Sequence, residues 1–85
     1  MTAHTLIWQP PAFAGLMSIR TTDPAVAKSI RTAVSALAEA AYPEDSTPLG
    51  HDRLGRLRVR DARVLYEIDD THLAIHILTV GRVHG

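Results

Sequence analysis

The first quarter of the chain changes from a strand-like pattern to a helix-like one. Residues 4–8, HTLIW, form a short run of branched and aromatic side chains, which is typical of a β-strand. Pro10 and Pro11 stop this run, and proline fits the first turn of a helix. We therefore expect a short strand followed by a first helix that ends at about Ile19.

A second helix is indicated by apolar residues at helical spacing. Asp23 is a good N-cap, Pro24 fits the first helical position, and Pro43 predicts an end near Tyr42. The apolar positions of this helix are Val26, Ile30, Ala33, Val34, Leu37 and Ala41.

The second half of the chain reads as a loop and three strands. Residues 43–53 contain two prolines and a glycine and are predicted to form the loop. Strands are expected over about 54–60, 62–69 and 72–79, and Gly81 is expected to break the pattern. This order predicts an α+β fold, in which a small, antiparallel-rich, four-stranded sheet carries two N-terminal helices on one face.

Arginine occupies every second position of the first of these three strands. Because successive side chains on a strand point to opposite faces, Arg56, Arg58 and Arg60 are expected to share one face. A turn over Asp61 and Ala62 would place Arg56 opposite Glu67, Arg58 opposite Leu65 and Arg60 opposite Arg63. Like charges that face each other destabilise a sheet, so this cluster favours a polyanionic ligand such as a phosphate backbone.

The same alternation divides the other strand residues between two faces. The apolar side, beneath the helices, is expected to hold Leu57, Val59, Val64, Tyr66, Leu73, Ile75 and Ile77. The other side is expected to hold Arg56, Arg58, Arg60, Arg63, Glu67 and His76.

Length and composition limit the class of protein. The 85 residues are enough for one domain, 1–85, and 46% of them are hydrophobic, which favours a packed core over disorder. The chain has no cysteine, its histidines lack ligand spacing, and no apolar run approaches the length of a membrane helix. We expect a cytoplasmic protein with no metal, no cofactor and no membrane association.

The net charge is zero, with nine basic and nine acidic residues, which counts against strong autonomous binding to nucleic acid. However, residues 53–63 hold five arginines and a single acid. A local cationic patch is therefore compatible with the neutral total.

Several motifs resemble the RelE/ParE superfamily of type II toxins. Residues 57–70, LRVRDARVLYEIDD, are very similar to the central signature of the superfamily. Weaker similarity extends over residues 6–13 at the opening strand and helix, 48–50 in the loop, and 77–81, ILTVG, in the closing strand. The resemblance thus covers most of the chain and implies the same strand–helix–helix–strand–strand–strand order.

The resemblance implies one of two activities. Members of the RelE branch are ribosome-dependent endoribonucleases that cleave mRNA and are held inactive by an antitoxin. Members of the ParE branch share the fold but act on DNA gyrase. We expect a RelE-like mRNA interferase whose partners are a cognate antitoxin, the ribosome and mRNA. The alternatives are a ParE-like inhibitor and a degenerate toxin that only binds its antitoxin.

The resemblance also implies catalytic residues. Arg63 aligns with an arginine that stabilises the charge developing on the phosphate, although a structural role for it is the alternative. Arg82 lies beside the position of an active-site arginine, which strict counting assigns to Val83. His84 is a candidate for proton transfer, and an unstructured tail position is its alternative.

Three further arginines are expected to bind RNA. Arg56 aligns with an RNA-binding position of the RelE branch, and its alternative is a cross-strand ion pair with Glu67. Arg58 matches the first arginine of the signature and has a structural alternative. Arg60 replaces a frequent glycine and either extends the patch or is solvated in the turn.

Overall fold

Two helices and a five-stranded sheet make up the computed structural model, which describes residues 3–41, 46–49 and 51–83. The elements in chain order are β1 (Thr5–Trp8), α1 (Pro10–Thr22), α2 (Pro24–Leu37), β2 (Ser46–Leu49), β3 (His51–Val59), β4 (Ala62–Asp69) and β5 (Ala74–Arg82). No helix in the described part of the chain is long and apolar enough to span a membrane.

The sheet has the strand order β1-β5-β4-β3-β2, in which β1 pairs with β5 in parallel and the other neighbours are antiparallel. The expected α+β architecture is confirmed, but the prediction of four strands was wrong. The additional strand, β2, lies within the segment predicted to be a loop. Its Pro48 is tolerated because β2 is an edge strand, where an N–H donor is not needed on the free side.

Helix α2 begins as predicted and ends earlier than predicted. The Asp23 carboxylate accepts a hydrogen bond from the Val26 N–H at 3.2 Å, and proline follows the cap. The helix ends at Leu37 rather than near Tyr42, which lies outside the described residues. The carbonyl of Ala38 instead accepts the backbone N–H of His4 at 2.7 Å, which joins the end of α2 to the segment that leads into β1.

The core lies between the helices and one face of the sheet, and Tyr66 is at its centre with 1% exposure. The Tyr66 hydroxyl donates a hydrogen bond to the Ala41 carbonyl at 3.1 Å. A Cβ atom at Gly55 would lie 2.6 Å from the Tyr66 ring, so this glycine makes room for the aromatic side chain. The expected core position of Tyr66 is confirmed.

Strand β5 contains an irregularity that changes which residues face the helices. Leu65 pairs with Thr79 and Tyr66 pairs with Ile77, so Leu78 is an extra residue in the ladder. Ile77 lies on the helix side before this bulge, and Val80 returns to that side after it.

Two predictions for β5 were wrong. The strand continues through Gly81 to Arg82, because both residues pair with β4. Leu73 precedes the strand, in a turn with a φ of 50° and 42% exposure, and is not part of the core.

Candidate nucleic-acid interface

The sheet face that the helices leave open carries arginines from two neighbouring strands. On β3, the exposed Arg56 and Arg58 alternate with the buried Leu57 and Val59. On β4, the half-buried Arg63 lies between the buried Ala62 and Val64, so it also points to the open side. We call this surface, defined by Arg56, Arg58 and Arg63, the arginine face.

The register across the arginine face differs by two residues from the predicted one. The β3–β4 turn is formed by Arg60 and Asp61, so the cross-strand partner of Arg58 is Arg63. Arg56 lies opposite Leu65 and Glu67 lies opposite Leu54. A shift of two residues keeps every side chain on its predicted face.

The predicted ion pair between Arg56 and Glu67 is absent, although the structure describes both residues. Their register partners are leucines, whereas Arg58 and Arg63 are cross-strand partners of like charge. A phosphate that bound between them would be attracted by both charges.

The Arg63 guanidinium is held at the base of the hairpin. Its Nη1 group donates to the backbone carbonyls of Arg60 at 3.1 Å and Ala62 at 2.8 Å. Because a guanidinium has five N–H donors, Nε and Nη2 remain for a ligand. The structure therefore fixes this side chain without using all of its hydrogen-bonding capacity.

Arg60 is exposed at the turn itself and has a φ of 55°. This left-handed conformation favours glycine. It is therefore consistent with the frequent glycine that the superfamily signature has where this chain has Arg60. Its position beside the arginine face adds positive charge at the end of the hairpin.

Arg82 is not brought to the arginine face. The bulge at Leu78 turns Arg82 to the helix side, where its Nε and Nη2 donate to Asp61 Oδ2 at 2.9 and 2.6 Å. Asp23 Oδ2 is 3.6 Å from Nη2. The hydrogen bond with Asp61 raises the pKa of Arg82 above its ordinary value. His84 lies outside the described residues.

His76 is a titratable side chain on the same open side, opposite Glu67 on β4. Its Nδ1 is 3.1 Å from Gln9 Nε2, which is within hydrogen-bond distance. This contact orients the half-buried ring. The sequence indicated His76 but gave no signal for Gln9, which lies 67 positions away.

His4 and His72 pair with carboxylates around the β4–β5 turn. His4 Nε2 is 3.0 Å from Asp70, and His72 Nδ1 is 2.8 Å from Asp69. The hydrogen bond from His72 holds the pKa of Asp69 below its ordinary value. Over residues 3–41, 46–49 and 51–83, no group of three or more His, Cys, Asp or Glu could hold a metal ion.

A groove of about 560 Å³ runs beside the helices, away from the arginine face. Its apolar lining includes Phe13, which is 54% exposed, and arginines lie at its border. The lining residues are Trp8, Phe13, Leu16, Met17, Arg20, Arg31 and Ser35. The groove therefore combines apolar surface with positive charge.

Comparison with known proteins gives a family and a set of similar folds. The sequence profile described as "ParE toxin of type II toxin-antitoxin system, parDE" matches residues 6–84. No curated protein matches the sequence.

Three solved structures illustrate the similarity of fold. The RelBE2 toxin–antitoxin complex from Mycobacterium tuberculosis contains a chain that is 21% identical, with a TM-score of 0.79 and coverage of 95% of this chain and 99% of that one. The isolated RelE toxin of E. coli is 16% identical, with a TM-score of 0.82 and coverage of 98% and 87%. A YoeB/ParE toxin from Agrobacterium tumefaciens is 13% identical, with a TM-score of 0.79 and coverage of 94% and 99%.

Proposed function

Because the chain belongs to the ParE toxin family of type II toxin–antitoxin systems, we propose that it is the toxin of such a pair and that it cleaves mRNA on the ribosome. The observation that carries the proposal is the arginine face, on which Arg56, Arg58 and Arg63 meet from adjacent strands. Guanidinium groups form short, charge-assisted hydrogen bonds with phosphate oxygens. Since ribosomes are cytoplasmic, we propose that location for the toxin.

In the proposed reaction, the 2′-hydroxyl of one ribose attacks the adjacent phosphate, and the bond to the 5′-oxygen of the next nucleotide breaks. The products are a 2′,3′-cyclic phosphate and a 5′-hydroxyl end. Arg63 stabilises the extra negative charge of the pentacoordinate phosphate, because its position is fixed before the substrate binds. Arg56 and Arg58 hold the flanking backbone, and Arg60 extends the positive surface.

The reaction also requires a group that takes the 2′-hydroxyl proton and one that protonates the leaving oxygen. His76 is on the open side of the sheet, but it pairs with Glu67, four residues along β4 from Arg63. At about 3.3 Å per residue this separation is about 13 Å, which is too far for His76 to act on the phosphate that Arg63 contacts. Imidazole suits either transfer, and we assign proton transfer to His84.

We further propose that the cognate antitoxin covers the helices and a sheet edge with an amphipathic segment that folds on binding. The groove at Phe13 supports this proposal, because it offers apolar surface beside Arg20 and Arg31. A helix with apolar anchors and acidic flanking residues fits that chemistry. The similar RelBE structures are themselves toxin–antitoxin complexes.

A second candidate function is inhibition of DNA gyrase without RNA cleavage. The match to a profile of ParE toxins favours it. The internal contacts of Arg82 favour it as well, since that guanidinium is engaged with Asp61 on the side away from Arg63.

Cell-free translation with primer extension separates the two candidates. We expect cuts in translated mRNA with the original protein, loss of those cuts with Arg63→Ala, and unchanged cuts with Lys28→Ala. Lys28 is the matched control because it is an exposed cation on α2. Intact mRNA together with inhibited supercoiling would replace the nuclease with a gyrase inhibitor. Loss of both effects would leave a chain that only binds its antitoxin.

A further inference from the structure

We infer that Arg82 is a positioning residue. Its hydrogen bonds with Asp61, which we call the lock, hold the turn formed by Arg60 and Asp61. The turn then holds Arg63 on the other side of the sheet. The link to RNA rests on the proposed function, whereas the link to the turn does not. The resemblance to the superfamily implies a catalytic role for Arg82, and the geometry assigns it this different one.

Residues 82 and 83 hold both the side chain and the main chain of Asp61. The Arg82 guanidinium donates twice to Asp61 Oδ2, at 2.9 and 2.6 Å. The backbone N–H of Val83 donates to the Asp61 carbonyl at 2.7 Å. Three N–H groups from the end of β5 therefore converge on one turn residue.

Arg63 depends on the backbone of the same turn. The two carbonyls that accept its Nη1 belong to Arg60 and Ala62, the residues on either side of Asp61. Arg60 has a φ of 55°, a conformation that non-glycine residues keep only when surrounding contacts enforce it. Release of Asp61 would free the turn to relax and move both acceptors of Arg63.

The lock also extends to the helices. Arg82 Nη2 is 3.6 Å from Asp23 Oδ2, while the other carboxylate oxygen of Asp23 caps α2 through the Val26 N–H. Arg82 thus lies between two carboxylates. A phosphate at Arg82 would meet both negative charges, which argues against direct contact with RNA.

A double-mutant cycle tests this role through the salt dependence of binding to a single-stranded RNA oligonucleotide. For single strands, each lost phosphate contact makes the slope of log K against log salt less negative by about 0.7. We expect that change in Arg82→Ala, in Asp61→Ala and in the double variant alike, because all three release Arg63. Lys28→Ala removes a cation from an exposed site on α2 and should leave the slope unchanged.

Direct contact between Arg82 and RNA would give a different pattern. The slope would change in Arg82→Ala and stay at its original value in Asp61→Ala, which would overturn the inference. If Arg82 and Asp61 acted independently, the slope would change more in the double variant than in either single variant. That result would also overturn the inference.

Amide hydrogen exchange tests the lock without RNA. At a temperature well below unfolding, we expect faster exchange at Ala62 and Arg63 in both single variants, with unchanged exchange in the α2 core at Ile30. Unchanged exchange at the hairpin would overturn the inference even if the protein cleaves mRNA. Faster exchange in a protein that cleaves no mRNA would uphold the lock and reject the nuclease.

Discussion

Arg58 and Arg63 are direct cross-strand partners on the open face of the sheet. The side chain of Arg63 is also tied to the hairpin backbone, so its guanidinium is held in place before any ligand binds. This preorganisation distinguishes the arginine face from scattered surface cations such as Lys28. An anionic backbone is the ligand that best neutralises the positive charge of this face.

The arginine face should make the binding of single-stranded RNA depend on salt concentration. If Arg56, Arg58 and Arg63 each neutralise one RNA phosphate, the slope of log K against log salt should be about −2, since single strands give roughly −0.7 per contact. Arg58→Ala should reduce the slope to about −1.4. Fluorescence anisotropy with a labelled oligonucleotide at several salt concentrations measures it. An equal slope in Arg58→Ala and the original protein would remove Arg58 from the interface.

A second prediction concerns the backbone of Arg60. Its φ of 55° costs a non-glycine residue about 1 kcal/mol, so Arg60→Gly should raise the free energy of unfolding by about that amount. Arg60→Ala is the matched control, because it removes the same side chain and keeps the strain. Urea denaturation compares the two variants. Equal stabilities would show that the turn is not strained.

A third prediction contrasts two glycines. Gly55→Ala should lower the free energy of unfolding by about 1–3 kcal/mol, because the added Cβ meets the buried ring of Tyr66 at 2.6 Å. Gly81→Ala is the control, since no atom lies within 4 Å of its Cβ position, and its effect should stay within about 0.5 kcal/mol. Thermal and urea unfolding provide the comparison. A similar loss in both variants would show that contact with the Tyr66 ring does not account for the cost at position 55.

A fourth prediction concerns the antitoxin. Phe13→Ala should weaken binding of the cognate antitoxin by more than about 1 kcal/mol, because exposed aromatic side chains in apolar grooves are frequent binding anchors. Thr32→Ala, at an exposed position of α2 outside the groove, should leave the affinity unchanged. Isothermal titration calorimetry measures both. An unaltered Kd in Phe13→Ala would place the antitoxin elsewhere.

The sequence was sufficient to predict the α+β class and the composition of the arginine face. Asp23 and Pro24 marked the start of α2, and strict alternation at residues 56–59 assigned side chains to faces. Those assignments were correct although the predicted β3–β4 register was wrong, because the register error was two residues, an even number. A one-residue error would have moved every arginine to the core side.

The features that the sequence did not reveal depend on tertiary contacts. β2 contains Pro48, a residue type that is depleted in strands, and exists because β3 provides a pairing edge. The bulge at Leu78 has no local sequence marker, yet it moves Arg82 from the open side to the helix side. The resemblance grouped Arg82 with Arg63 as catalytic residues, and the structure places the two side chains on opposite sides of the sheet.

In the proposed function, mRNA lies across the open face of the sheet. A photo-crosslinking side chain at Leu65, between Arg56 and Thr79 in the ladder, tests it while all the arginines are retained. In a translating ribosome extract, we predict a crosslink to mRNA from position 65 and none from position 28 on α2. A crosslink to mRNA from position 28 alone, or no crosslink to mRNA from position 65, would contradict the claim.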